Sequence, residues 1–174
     1  MSRFAVSVVL AAAMLAGMHV HAAEAAPKGS LVIIGGALRP DNAAVWERIV
    51  QLAGGQGARI AVFASASANP EKAGASLVER LNKYGANAFF VPVAVRLTGT
   101  DYQAAADNPD IAAAVRSAGG AYFAGGDQAR ITRALRRADG TNTLVLDALW
   151  DMYRRGGVIA GTSAGAAIMS STMF

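Results

Sequence analysis

Residues 158–170 read VIAGTSAGAAIMS, and a single hydroxyl, Ser163, stands between Gly161 and Gly165 where a strand-like apolar run gives way to a helix-like one. G-x-S-x-G is the spacing of a sharp strand-to-helix turn, in which the flanking positions have no room for side chains and the serine Oγ is pushed outward. The same turn sets the amide of Ala164 at a helix N-terminus, where it can face a developing oxyanion. The chemistry this predicts is acyl transfer with Ser163 as nucleophile. The competing reading is an ordinary tight turn with Ser163 as a helix cap. A second stretch, AYFAGGDQARI (121–131), repeats the strand, Gly-Gly and helix order. Gly125 and Gly126 let the backbone approach a ligand, and the Gly126 amide is a candidate for the second oxyanion donor. Asp127 and Gln128 fall on the same rim as candidate substrate-binding groups, with Asp127 as a plain helix N-cap the alternative.

A serine hydroxyl attacks poorly unless a base takes its proton, and that base is usually a histidine. The two histidines, His19 and His21, lie in the N-terminal segment. The lysines, Lys28, Lys72 and Lys83, sit in a lead-in and an early helix with no motif that ties them to Ser163. Arg130, Arg133 and Arg137 recur at three- and four-residue spacing and would share a helix face, either to attract an acidic polymer or as a solvated, ion-paired surface. Ser65 and Ser67 close a strand on the same side of the sheet, as ligand contacts or as turn formers.

These groups need a scaffold, and the pattern supplies one. LVII (31–34) reads as a strand buried on both faces. Asp41 or Asn42 would cap a helix reaching Ala53 with Val45, Ile49 and Leu52 on one stripe. RIAVFAS (59–65) is a second strand, and a helix opens at Pro70 and stops before Gly85. AFFVPV (88–93) is a third strand, which Pro92 ends early or places near an edge. RLTGTDYQAAADNPD (96–110) forms a connector. A short helix (109–120), a strand and turn (121–127), a long helix over QARITRALRRAD, another over 143–157 and the strand VIAG complete the series. Strands alternating with helices imply an α/β fold with a parallel sheet covered on both faces.

Composition narrows the class. At 174 residues and 53% hydrophobic, the chain is long enough for one domain but not two. The absence of cysteine excludes disulfides, thiolate metal sites and a cysteine nucleophile. A formal charge of +4, spread along the chain, leaves no nucleic-acid footprint. Met1-Ser2-Arg3, the apolar FAVSVVLAAAMLAGM and the small residues Val20 and Ala22 describe a signal peptide over 1–22, hence export to the periplasm or outside, with an uncleaved anchor as the alternative. Residues 23–30 are a polar lead-in, and 31–174 are the domain. No stable membrane association after cleavage, no metal and no cofactor is expected, and Gly35-Gly36 lacks dinucleotide-loop spacing. The oligomeric state is open.

GGVIAGTSAGAAIMS (156–170) and AGGDQARITRAL (124–135), with LVIIGGAL and IAVFASASANP, resemble the cyanophycinases, serine peptidases related to dipeptidase E. The resemblance runs from about residue 31 to the last residue. It implies a flavodoxin-like, class I glutamine-amidotransferase-like fold. Its implied substrate is cyanophycin, a poly-aspartate with arginine on each β-carboxyl, released as β-Asp-Arg. It also implies Ser163 as nucleophile, an oxyanion hole from amides near Gly126 and of Ala164, and Gln128 as a substrate contact. The family's base histidine lies downstream of the serine, and AGAAIMSSTMF carries no helix stop signal. The sheet is therefore expected to be incomplete at its C-terminus and the chain to be the N-terminal, inactive portion of a longer peptidase; a naturally short protein is the alternative. Aspartyl dipeptidase, esterase-type hydrolase and non-catalytic module are the competing functions.

Overall fold

The computed structural model describes residues 26–36 and 38–172. The signal-peptide reading, with His19 and His21, lies outside the described residues, as does Met173. Five strands form one parallel sheet: β1 (Ser30–Ile34), β2 (Arg59–Phe63), β3 (Asn87–Phe90), β4 (Gly120–Phe123) and β5 (Val158–Thr162), in the order β1-β5-β4-β2-β3. The helices are α1 (Ala43–Leu52), α2 (Pro70–Lys83), α3 (Tyr102–Ala106), α4 (Pro109–Arg116), α5 (Gln128–Leu135), α6 (Leu144–Arg154) and α7 (Ala164–Ala167). The expected parallel α/β class is what forms.

Local chemistry accounts for most boundaries. The side chains of Asn42, Asn69, Asn108 and Thr143 each accept an amide at a helix start, and Pro70 and Pro109 stand in first turns where their missing N–H costs nothing. β3 stops at Phe90, before Pro92, and lies at the sheet edge as its proline implied. Within the expected connector, Asp101 caps the short helix α3 by accepting from the Gln103 and Ala104 amides.

Alternation of side chains along each strand splits the core in two. Ile60, Val62, Tyr122, Val158 and Ala160 pack under α1 and α2. The residues of α1 that bury most are Trp46, Ile49 and Val50, so its stripe is rotated from the expected Val45-Ile49-Leu52 toward the tryptophan. The Trp46 ring stacks on Tyr122 at 5.4 Å. Ala61, Phe63, Ala121 and Phe123 face α3 to α7.

Two expectations are corrected. β1 is not buried on both faces: it is the other edge of the sheet, and Leu31 and Ile33 are 43% and 64% exposed. Leu31 lines an apolar groove of about 520 Å³ whose walls include Trp150, Ile168 and Met169. The long helix expected over 128–139 ends at Leu135. Arg136 is extended (φ −116°, ψ 138°) and bridges Asn142, and the return is made at Gly140, whose φ of 82° suits a residue without Cβ. Among the described residues, no helix is long and apolar enough to cross a membrane.

Candidate active site

Ser163 follows the last residue of β5, at the carboxyl rim where open α/β sheets gather their functional groups. Its backbone lies at φ 54°, ψ −116°, and it is the one non-glycine with positive φ among the described residues. Such a conformation costs on the order of 1–3 kcal/mol and persists only when neighbours impose it. The imposing contacts are visible. The Ser163 amide donates to the Ile34 carbonyl at 3.0 Å, and its own carbonyl accepts from the Ala166 and Ala167 amides, each at 2.9 Å. The side chain makes no capping hydrogen bond and is exposed, so the helix-cap reading fails.

The flanking glycines are required sterically. A Cβ on Gly161 would lie 2.5 Å from the Gly165 carbonyl oxygen, and one on Gly165 would lie 2.3 Å from that of Phe123. Both obstacles are backbone atoms that cannot rotate aside. The turn therefore admits side chains only at Thr162, Ser163 and Ala164. Gly125 adjoins it: a Cβ there would sit 3.2 Å from Ser163 Cβ and 3.7 Å from its Oγ. Gly126 follows at φ 140°, packed so closely on the β2 rim that a Cβ would fall 2.1 Å from the Ala66 carbonyl oxygen.

Residues 31–174 match peptidase family S51. The chain belongs to that family. It is also similar in structure to a peptidase from an acI-B1 Actinobacterium, with a TM-score of 0.65 and 23% sequence identity over 83% of this chain. That likeness is one of fold, and this chain spans 58% of that protein's length.

The other expected residues of this S51 chain divide clearly. Ala164 opens α7, so its amide has no acceptor in the preceding turn of helix. Gln128 opens α5 beside Gly126. Asp127 is the N-cap of α5: its carboxylate accepts the Ala129 amide at 2.9 Å and lies 3.4 Å from Arg130. That occupies the carboxylate structurally, as the capping alternative held. Arg130 does not share a solvent stripe with Arg137. Its guanidinium donates to the Ala66 carbonyl at 3.2 Å, the oxygen that also takes the Asp127 amide at 3.0 Å. Arg130 thus staples the β2 rim to the Gly125-Gly126 loop, a role that its spacing from Arg133 and Arg137 did not indicate. Arg137 lies beyond α5 and holds Asp107 through two hydrogen bonds.

Both serines of the β2 rim bond to backbone groups, and only Ser67 does so within its own turn. Ser65 is fully buried and its hydroxyl donates to the Val93 carbonyl. The Ser67 hydroxyl accepts from the Asn69 amide at 3.1 Å and donates to the Asn69 carbonyl at 3.0 Å. One polar atom was not foreseen. Thr162 Oγ1, next to the serine, is buried with no hydrogen-bond partner among the described residues. Nor, among the described residues, does a group of three or more His, Cys, Asp or Glu come together as metal ligands.

Proposed function

We propose that Ser163 is the nucleophile of a serine peptidase that cleaves cyanophycin to β-Asp-Arg dipeptides. The observation that carries this reading is the backbone of Ser163, held at φ 54° with an exposed hydroxyl that caps nothing. A strained serine at this rim is the signature of an aimed nucleophile rather than of a turn.

In the proposed reaction, Oγ attacks the amide carbonyl carbon while its proton passes to a base, and the carbonyl oxygen becomes an oxyanion. The amides of Gly126 and Ala164 would receive that charge, and Gln128 would hold the substrate. Collapse expels the amine, which takes the proton, and leaves an acyl-serine that water hydrolyses. Histidine is absent from the described residues, so the proton acceptor is not assigned to any of them. We propose export for residues 1–22, and N-terminal sequencing of the exported protein should begin at Ala23; an intact Met1 would refute it.

The test uses the product of the native gene. It should release β-Asp-Arg from cyanophycin, and a serine-directed fluorophosphonate should modify Ser163. Both should vanish in Ser163→Ala. Unchanged release in that variant refutes the assignment. Faster cleavage of α-aspartyl dipeptides or of simple esters would instead favour the dipeptidase or esterase reading.

A further inference from the structure

At the C-terminal end of α5, with none of the Ser163 rim in its lining, lies a cavity of about 190 Å³ walled by Arg133, Arg136 and Arg137 together with Gln103 and Asp107. The volume matches roughly six water molecules at about 30 Å³ each, room for a carboxylate and a few carbons. Three guanidiniums meet a single carboxylate in its lining.

That carboxylate shows how the wall handles the group. Arg137 grips Asp107 with Nη2 at 2.6 Å and Nε at 3.0 Å, a two-pronged pairing, and the Leu144 amide at the start of α6 donates to the same carboxylate at 3.0 Å. The pairing holds the Asp107 carboxyl below the usual carboxylate range, chiefly through the Arg137 hydrogen bonds. Arg137 is further fixed by Thr141 Oγ1 at 3.2 Å and by the Asn142 carbonyl. Asp107 is therefore spent on Arg137.

Arg133 and Arg136, in the same lining, are not matched in this way. Among the described residues, the Arg136 guanidinium donates only to a neutral acceptor, the Gly140 carbonyl. Arg133, exposed in the last turn of α5, donates to no group among the described residues. Two other carboxylates lie nearby but turn elsewhere and do not line the cavity. Asp139 accepts from Thr141, and Asp147 accepts from the Asn142 side-chain amide at 2.8 Å.

We propose that this cleft is an accessory binding site for a carboxylate group, received between Arg133 and Arg136 with Gln103 as a neutral donor. Paired guanidiniums present several N–H donors in a planar fork that fits a carboxylate. The site stands apart from the Ser163 rim and does not depend on the chemistry proposed there. α5 is eight residues long, so at 1.5 Å per residue the cleft lies about 12 Å along that helix from Gln128. A polypeptide of about four extended residues covers that distance, so one carboxylate-bearing chain can reach both places.

The test is a titration of the full chain with succinate at constant ionic strength, followed by the ¹H–¹⁵N resonances of the arginine Nε groups. The expected result is saturable shifts of Arg133 and Arg136 with a Kd of about 1 mM. Binding should weaken at least about fivefold in Arg133→Ala and in Arg136→Gln, with amide spectra showing both variants folded. A poly-aspartate arm separates the sources. Binding about tenfold or more tighter than succinate marks a polymer as the natural ligand, and equal binding marks a small carboxylate. The proposal is overturned if succinate produces no saturable shift, if chloride or phosphate produces the same one, or if Arg133→Ala binds as the parent does.

Discussion

Replacing Ser163 with glycine should stabilise the fold, and replacing it with alanine should not. Ser163 pays for a backbone at φ 54°, ψ −116° that a Cβ opposes and that no side-chain hydrogen bond offsets. Glycine removes a strain on the order of 1–3 kcal/mol. It also gives the unfolded chain more freedom, which offsets about 0.4–1 kcal/mol of that gain. The net is a stabilisation of about 1 kcal/mol, or a rise of roughly 3 °C in Tm for a chain of this size. Alanine keeps the Cβ and hence the strain, and loses only an exposed hydroxyl, so it should fall within about 0.5 kcal/mol of the parent. Urea unfolding at equilibrium, with equal slopes for the three proteins, measures both differences. A serine serving as a helix cap predicts the reverse pattern, with alanine costing about 1 kcal/mol and glycine a few tenths. A glycine variant no more stable than the alanine variant would show that the turn is not strained, and the argument for an aimed nucleophile would fall with it.

The glycines around the serine should tolerate nothing. Gly165→Ala drives a Cβ to 2.3 Å from the Phe123 carbonyl oxygen and should cost about 2–3 kcal/mol in urea unfolding, whereas Gly36→Ala, with nothing within 4 Å, should stay within about 0.5 kcal/mol. Burial between the sheet and α1 pushes the Tyr122 phenol up to about 12 from its ordinary 10.0. A raised folded value means that its contribution is complete below pH 10 and is lost as the pH climbs toward 12. Alkaline unfolding should therefore show a loss of stability across that window, largely absent in Tyr122→Phe; equal losses in both proteins would place the cause elsewhere.

What could be read from the residues alone follows the range of the forces involved. Caps and breakers act over a few residues, so Asn42 and Pro70 marked the starts of their helices and Gly85 the end of the second. The elbow was legible for the same reason, because the clash that demands Gly161 is with Gly165, four positions away. Strand order is a different matter. LVII looks like any interior strand, and only the arrangement β1-β5-β4-β2-β3 puts it at an edge with Ile33 in the open. The arginines failed similarly. Spacing placed Arg130 and Arg137 on one face, but Arg130 answers to a carbonyl 64 positions back and Arg137 to a carboxylate 30 positions back. Gly125 and Gly126 stand between these cases. Their pairing was visible as a loop without side chains, but its reason is contact with Ser163 from one strand and Ala66 from another. A glycine that makes room for a distant backbone is written in the same letter as one that merely turns the chain. What separates the two here is a second glycine-flanked residue beyond the neighbouring strand: Ser163, just after β5, which pairs with β4.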